Sequence, residues 1–268
     1  MHVHFLDPYR PRSSPVHRLD PRIKLTLTLA FILTNALVPT GAWPVYILLF
    51  ALLLSVEILS ELGVGYVLRR SVLALPFVLA AIPVMFTMPG PSLTSFSLGQ
   101  WTLTISQPGL ERVISVALKS WLSVQAAIVL ASSTSFPDLL IALRALRVPR
   151  LLVGVFGLMW RYLFVLVDEA LRLIRARAAR SGESDQPGAR KGGSVAWRAR
   201  VTGGMAGSLF LRGIERSDRI YMAMLSRGYD GEVRSLPLPS LKPLHLAVLA
   251  ACLFFFLLLL AFAFLVWG

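Results

Sequence analysis

The chain contains a single cysteine, Cys252, among its 268 residues. A disulfide framework within one chain is therefore excluded, and so is a zinc site built on cysteine ligands. The histidines offer no substitute. His2 and His4 lie near the N-terminus, where we expect exposed side chains, while His17 and His245 lie far apart. We predict no metal site in this chain.

The sequence also lacks a phosphate-binding loop of the form Gly-x-x-x-x-Gly-Lys-Ser/Thr. Residues 188–194, Gly-Ala-Arg-Lys-Gly-Gly-Ser, have similar composition but different spacing. We therefore expect that this chain does not bind ATP. The apolar stretches carry almost no cluster of His, Asp or Ser, which disfavours a membrane enzyme. No internal repeat is visible, which disfavours a self-sufficient secondary transporter. Both classes remain as alternatives.

What the chain has in excess is apolar and basic residues. It is 56% hydrophobic, which is typical of a polytopic membrane protein. Its formal net charge is +13, and 13 of its 27 Lys and Arg residues lie in residues 172–234 against six acidic residues. This charge suits anionic lipid, an acidic protein or nucleic acid. Nucleic acid is disfavoured because the basic stretch lies between apolar segments and carries no nucleic-acid motif.

Five apolar stretches are predicted to cross the bilayer, which takes roughly 20 residues per helix. The first is short, and the third contains Pro76 and Pro83, which predict kinks. They run from Leu25 to Val38, Trp43 to Leu59, Val72 to Met88, Val113 to Ala131 and Leu244 to Val266. We predict an all-α polytopic membrane protein with five transmembrane helices and a cytoplasmic helical domain.

The positions of Lys and Arg in the loops predict the sidedness. Five basic residues precede the first stretch, and Arg69 and Arg70 follow the second, so both regions are assigned to the cytoplasm. No charged residue occurs between Ser71 and Leu110. The loop after the third stretch is therefore assigned to the outside, and residues 95–104 could form a small hairpin there. The prediction is an internal N-terminus and an external C-terminus.

One further apolar stretch, Leu151 to Val167, is 17 residues long. A crossing there would place the arginine-rich stretch outside, and it would place Arg161 in hydrocarbon. We interpret it instead as part of a long helix lying partly in the interface. The predicted organisation is then residues 1–133 for the first four spans, 134–242 for a cytoplasmic domain and 243–268 for the last span.

Three helices are predicted in the cytoplasmic domain. Ser135 and Pro137 open a short helix that covers Leu139 to Leu146. The second helix ends at Arg180. We expect the adjacent Asp168 and Glu169 to balance Arg172 and Arg175, since Asp168 and Arg172 lie one turn apart. The third covers residues 205–227. Its small and apolar residues recur every three or four positions and form one stripe: Ala206, Phe210, Gly213, Ser217, Tyr221 and Met224.

The third helix is rich in glycine, which costs roughly 1 kcal/mol per position relative to alanine. Such a cost indicates a close helix crossing, since glycine lets two backbones approach. We therefore expect the two long helices to cross near Gly203, Gly204, Gly207 and Gly213.

Both long helices end with an arginine followed by a small residue. The two motifs are Ala179-Arg180-Ser181 and Ser226-Arg227-Gly228. One interpretation is simple C-capping, because Gly228 suits the left-handed conformation just past a helix and the helix dipole favours a cation there. The other is a helix tip inserted in a groove of a partner protein, where a guanidinium pairs with a carboxylate or with carbonyl oxygens. The repetition of the motif on two helices favours the second.

A single lysine, Lys119, lies inside the fourth predicted span. An ionisable group at that depth is a functional candidate by default. The alternative is that its ammonium group reaches the outer interface along its own aliphatic stem. The sequence leaves both interpretations open.

The motifs together resemble those of a known family. They are residues 17–25 (His-Arg-Leu-Asp-Pro-Arg-Ile-Lys-Leu), 133–140 with Val148-Pro149, 161–163 with 176–181, and 226–229. In this order and spacing they are similar to the T components of energy-coupling factor transporters, especially the cobalt-type CbiQ branch. The resemblance covers nearly the whole chain.

The resemblance implies a non-catalytic, multi-pass subunit in the bacterial cytoplasmic membrane. It implies that the motifs around Arg180 and Arg227 dock into two cytosolic CbiO-like ATP-binding-cassette ATPases, which bind the ATP. It further implies a CbiM-like membrane subunit that carries the metal, with a small CbiN-like helper. Cobalt is the expected ion, while nickel or a vitamin remain alternatives.

Overall fold

The computed structural model describes residues 8–87, 89, 91–98, 101–180, 194–231, 241 and 243–267. These residues form helices and one hairpin of two short strands. The helices are α1 Pro15–Arg18, α2 Pro21–Leu37, α3 Trp43–Leu59, α4 Val64–Ser71, α5 Leu75–Ala81, α6 Val84–Thr87, α7 Gln107–Ser133, α8 Phe136–Ala145, α9 Arg150–Arg180, α10 Val195–Leu225 and α11 Pro243–Trp267. The strands are β1 Ser92–Leu98 and β2 Trp101–Ser106.

Several helices are apolar enough to cross a membrane, so the chain is a multi-pass membrane protein. Helix α3 is apolar but shorter than the others, and α2 is equally short. The four segments of full length are Val64–Phe86, Gln107–Ser133, Arg150–Arg180 and Pro243–Trp267. Length and composition therefore admit α9 as a crossing helix, and the argument against a crossing there rests on charge alone.

The segment Val64–Phe86 is interrupted where the sequence predicts kinks. A 3-10 turn at Val72–Ala74 precedes Pro76, and a turn separates α5 from α6 at Pro83. Proline has no N–H to donate to the helical ladder, so regular α-helix stops at these points. The predicted hairpin also forms, since β1 and β2 pair antiparallel. Apart from this hairpin, the described fold is helical.

The chain divides into two compact units. One, here called the span unit, contains described residues 8–146 and 241–267, and the other, the arginine-rich unit, contains residues 147–231. Helix α8 belongs to the span unit and packs against α2. The sequence-based boundary at residue 134 therefore differs from the structural one, which follows α8.

A hydrophobic core holds the span unit together. Phe31 of α2 meets Phe256 of α11 edge to face, with ring centroids 6.1 Å apart. Leu49 of α3 and Leu122 of α7 are fully buried in the same cluster. Four helices thus share one core, and its van der Waals packing stabilises the unit, since lipid tails are as apolar as these side chains.

Serine side chains cap the N-termini of two helices near the arginine-rich stretch. The Oγ of Ser135 accepts a hydrogen bond from the backbone N–H of Asp138 at 3.3 Å, which confirms Ser135 as the cap of α8. The Oγ of Ser194 accepts one from the N–H of Trp197 at 3.2 Å and opens α10. Helix α10 therefore begins at Val195, ten residues before the predicted start at Met205.

Candidate functional site

Helices α9 and α10 pack side by side in the arginine-rich unit. Three interhelix contacts give the register: Leu166 with Gly213, Glu169 with Arg212, and Arg177 with Thr202. The contact positions rise along α9 while they fall along α10. The two helices therefore run antiparallel.

The two arginine motifs lie at opposite ends of this antiparallel pair. Arg180 is the last residue of α9 and lies 14 residues after Leu166. Arg227 follows α10 and lies 14 residues after Gly213. At the helical rise of 1.5 Å per residue, each tip is about 20 Å from the Leu166–Gly213 contact, in opposite directions. Ala179 precedes Arg180 in α9, while Ser181 lies outside the described residues.

Backbone groups close the end of α10. Gly228 has φ +80°, and its N–H donates to the Leu225 carbonyl at 3.0 Å. The N–H of Tyr229 donates to the Met224 carbonyl at 3.0 Å. This pair of bonds is the Schellman motif, which confirms the left-handed conformation expected at Gly228. The carbonyls of the last turn are thus satisfied without the side chain of Arg227.

Both tip arginines are exposed. Within the described residues, the guanidinium of neither Arg180 nor Arg227 has a hydrogen-bond or ion-pair partner. By contrast, other arginines of the pair are engaged: Arg177 donates to the Thr202 hydroxyl at 3.1 Å, and Arg212 pairs with Glu169. The geometry leaves the two tips available to a partner.

The ion pairing of the two helices confirms the prediction in part. Glu169 accepts hydrogen bonds from Arg172 at 2.6 Å, as expected for one of the two acids, and from Arg212 of α10 at 2.7 Å. Glu169 faces α10 and bridges both arginines. Adjacent residues of a helix point about 100° apart, so only one of the two acids can face α10.

The predicted role of the glycines is wrong for three of the four. A Cβ atom added to Gly203, Gly204 or Gly207 would meet no atom of the described residues within 4 Å. At Gly213 the added Cβ would lie 4.0 Å from Leu166 Cδ2, which is an ordinary contact. The helices do meet at Gly213, but glycine is not required there for close approach.

An apolar groove of about 510 Å³ runs along the two helices. Four members of the predicted small and apolar stripe line it, namely Ala206, Phe210, Gly213 and Ser217, and Tyr162 and Leu166 line the α9 side. Phe210 is 68% exposed. Large apolar side chains exposed in a groove are typical of a surface that binds another protein or lipid.

The side chain of Lys119 reaches the end of a neighbouring helix. Its Nζ donates to the Val38 carbonyl at 2.6 Å and to the Ala36 carbonyl at 3.0 Å, at the C-terminal end of α2. Beside it, Asn35 Nδ2 donates to the Lys119 carbonyl at 2.8 Å and to Ser123 Oγ at 2.9 Å. The ammonium group thus caps a neighbouring helix, and the residue is half-buried. No local sequence pattern signals a contact between residues 81 positions apart.

The described residues contain no group of three or more His, Cys, Asp or Glu side chains that could hold a metal ion. His2 and His4, for which the sequence predicts exposed side chains, lie outside the part of the chain that the structure describes.

Comparison with known proteins gives consistent matches. The family model CbiQ, described as cobalt transport protein, matches residues 12–238, which include both arginine motifs. The energy-coupling factor transporter transmembrane protein EcfT of Brevibacillus brevis is 27% identical over 84% of this chain and 84% of its own length. The cobalt transport protein CbiQ of Salmonella typhimurium is 28% identical over 60% of this chain and 70% of its own length. A fused cobalt transport protein CbiMQ of Methanocorpusculum labreanum is 26% identical over 82% of this chain, which spans 35% of that relative.

Proposed function

Because the chain belongs to the CbiQ family of cobalt transport proteins, we propose that it is the transmembrane coupling subunit of an ATP-driven energy-coupling factor importer of cobalt. A relative that covers most of the chain carries the name of such a transmembrane component. A nickel or vitamin importer of the same type is the alternative within this class. The chain itself makes and breaks no covalent bond in this proposal.

One observation carries the proposal: two guanidiniums that have no partner among the described residues lie at opposite ends of one antiparallel helix pair. Each tip lies about 20 Å from the Leu166–Gly213 contact, in opposite directions, so the two tips are about 40 Å apart. That distance is too large for both tips to bind in one groove. Two separate docking sites are therefore favoured over one. Each planar guanidinium can pair with a carboxylate or with carbonyl oxygens on its own partner subunit. Two CbiO-like ATPases, which bind the ATP, fit this arrangement.

The proposed mechanism is mechanical. When ATP binding and hydrolysis change the spacing of the two ATPases, Arg180 and Arg227 move with them. Because α9 and α10 are joined by the Glu169–Arg212 ion pair and the Leu166–Gly213 contact, the ends cannot move independently. The displacement then turns the helices about their contact and reaches the spans through the chain that links α8 to α9.

A second membrane subunit is expected to carry the metal as cargo. The fused relative named CbiMQ supports a CbiM-like subunit as this partner, with a small CbiN-like helper. We assign the exposed groove around Phe210 as a contact surface for the partner, since it offers apolar area that the arginine-rich unit itself does not cover.

We propose five spans, an internal N-terminus and an external C-terminus in the bacterial cytoplasmic membrane, with α9 partly in the interface. The basic residues before α2 and the charge-free stretch from Ser71 to Leu110 support this topology. A Trp267→Cys variant in a Cys252→Ser background tests it. The thiol should react with an impermeant maleimide from outside only. Reaction from the cytoplasmic side alone would indicate six spans.

The docking proposal is tested with the double variant Arg180→Glu and Arg227→Glu. Charge reversal at both tips should abolish co-purification of the ATPases and metal uptake, while the chain still reaches the membrane. Arg219→Glu, an exposed arginine on the same helix α10, is the matched control and should retain both. Normal assembly and uptake by the double variant would exclude the proposal, and uptake without any ATPase would favour a self-sufficient transporter.

A further inference from the structure

A buried lysine near the start of α2 caps the end of α7. Lys24 is only 8% exposed, and its Nζ donates to the carbonyl of Ser133 at 3.0 Å and to that of His17 at 3.2 Å. Ser133 is the last residue of α7. Its carbonyl is one of the four at a helix C-terminus that have no partner within the helix. Lys24 therefore supplies a missing donor from another helix.

Lys119 makes the reciprocal contact at the opposite end. It lies in α7, and its Nζ donates to Val38 and Ala36 at the C-terminal end of α2. Helices α2 and α7 pack together, and these contacts show that they run antiparallel. Each helix thus contributes one lysine that caps the other.

These lysine contacts are charge–dipole interactions. Among the described residues, no carboxylate lies within ion-pair distance of Lys24 or Lys119. The partial negative charge at a helix C-terminus stabilises a nearby cation, and a hydrogen bond from a charged donor is stronger than a neutral one. Removing either ammonium would leave helix-terminal carbonyls without a donor in a largely apolar bundle, which is costly.

The segment before α1 strengthens the contact at the Lys24 end. The backbone N–H of Arg10 donates to the Ser132 carbonyl at 3.0 Å, and the Arg10 guanidinium lies 3.7 Å from the centre of the Tyr66 ring. Helix α8 starts at Phe136, three residues after the end of α7, and packs on α2. The corner between α7 and α8 is thus fixed to α2 by the Lys24–Ser133 bond and the packing of α8, and to the segment before α1 by the Arg10–Ser132 bond.

We propose that Lys24 and Lys119 are positioning residues that lock α2 and α7 into one rigid pair, so that a displacement of α8 moves both spans together. This role rests on the proposed function, because α8 is the link between the arginine-rich unit and the spans. The lock itself is a property of the chain alone and can be measured without any partner.

The first experiment measures the lock in the purified full chain in lipid nanodiscs. Pairs of spin labels in a Cys252→Ser background report the α2–α7 distance near each end by pulsed electron spin resonance. The exposed positions to label are Leu29 with Ala127 for the Lys24 end and Leu37 with Ile114 for the Lys119 end. Lys24→Met should broaden the first distribution only, and Lys119→Met the second only. Unchanged distributions in both variants would overturn the proposal.

Thr28→Val is the matched control for that experiment. The Thr28 hydroxyl donates to the Lys24 carbonyl within α2 at 2.9 Å, so its removal breaks no interhelix bond. Both distributions should stay as narrow as in the parent chain. Broadening by Thr28→Val equal to that by Lys24→Met would show a general loosening and would also count against the lock.

The second experiment measures coupling in the complex with its ATPases. Lys24→Met should retain the ATPases but lower metal uptake per ATP hydrolysed by about tenfold, as expected from the loss of one charged hydrogen bond. Lys24→Arg, which keeps the charge and the donors, should restore most of this ratio. An unchanged ratio would overturn the role in coupling. If the parent chain binds no ATPase, the proposed function fails, while the spin-label distances still decide the lock.

Discussion

The two units of the molecule differ in the burial of their polar side chains. In the span unit, Lys24, Asn35 and Lys119 are brought against other helices and bonded to their backbone or hydroxyl groups. In the arginine-rich unit, no residue of α9 or α10 is buried, and the ion pair of Glu169 with Arg212 lies at the surface. The span unit is therefore held together by its own contacts, whereas the arginine-rich unit presents exposed apolar and cationic surface to a partner or to lipid.

The largest expected effect is the difference in stability between a Phe→Ala substitution in the span unit and one in the arginine-rich unit. Phe31→Ala removes a ring from the core of the span unit and should cost about 3–5 kcal/mol of stability. Phe210→Ala removes a ring that is mostly exposed and should cost less than about 1 kcal/mol. Thermal unfolding in detergent measures both. Phe210→Ala should instead reduce co-purification of the partner subunits.

The expected difference between the units would be contradicted if Phe210→Ala destabilised the isolated chain as much as Phe31→Ala does. Such a result would mean that the arginine-rich unit has a core of its own. A wild-type level of partner binding by Phe210→Ala would remove the groove from the proposed contact surface.

A second comparison uses two glycines of the same helix region. Gly228→Ala places a Cβ in the left-handed conformation and should cost about 1–2 kcal/mol locally, so that the last turn of α10 frays. Gly207→Ala lies within α10 in open space and should stabilise the helix by up to about 1 kcal/mol. Hydrogen exchange of the α10 amides distinguishes the effect of Gly228→Ala from that of Gly207→Ala. Equal protection at the end of α10 in both variants would show that the cap does not hold the tip.

A smaller effect is expected from single polar contacts. Asn35→Ala removes two interhelix hydrogen bonds from the span unit and should cost about 1–2 kcal/mol. Glu169→Gln weakens a surface ion pair of the other unit and should have a smaller effect, because water and salt screen it. Unfolding midpoints at low and high salt test the contrast, since only the Glu169→Gln effect should diminish with salt.

The smallest expected effect is a pH dependence near the N-terminal segment. Burial lowers the pKa of His17 below its ordinary value of 6.5, although its contact with the Arg10 carbonyl opposes this. Because the folded state disfavours the protonated ring, the stabilisation is present above the unfolded pKa and is lost as the pH falls through the folded pKa. The protection factors of the amides of residues 8–20, which correct for the slower intrinsic exchange at lower pH, should therefore fall below about pH 6.5. His17→Gln should remove this dependence, and a loss of protection that persists in that variant would assign it elsewhere.

Local signals allowed much of the fold to be predicted from the sequence. Ser135 begins α8, Gly228 follows α10, and Pro76 and Pro83 interrupt an apolar segment, because each acts through its own backbone or its near neighbours. The predicted start of α10 at Met205 was wrong, because Ser194 caps a helix that begins at Val195 and continues through Gly203 and Gly204.

For the candidate sites too, local features could be predicted from the sequence and contacts between distant residues could not. The position of Arg180 and Arg227 at helix ends could be predicted because residue type and helix end coincide within a few residues. The lysine contacts were not found, since Lys24 meets Ser133 across 109 positions and Lys119 meets Val38 across 81. The bond of Glu169 to Arg212 was missed for a related reason, because it joins residues 43 positions apart on two helices. Contacts between distant helices leave no periodic trace in a single sequence.

Cross-linking from the two tips tests the central claim most directly. A photoreactive residue is placed at position 180, at position 227 or at both, in the chain co-expressed with its ATPases. Each single position should link to one ATPase copy, and the doubly substituted chain should link to two copies at once, as counted by mass on a denaturing gel. Links from both positions to the same copy, or to lipid alone, would contradict a chain that carries force between two ATPases and the membrane.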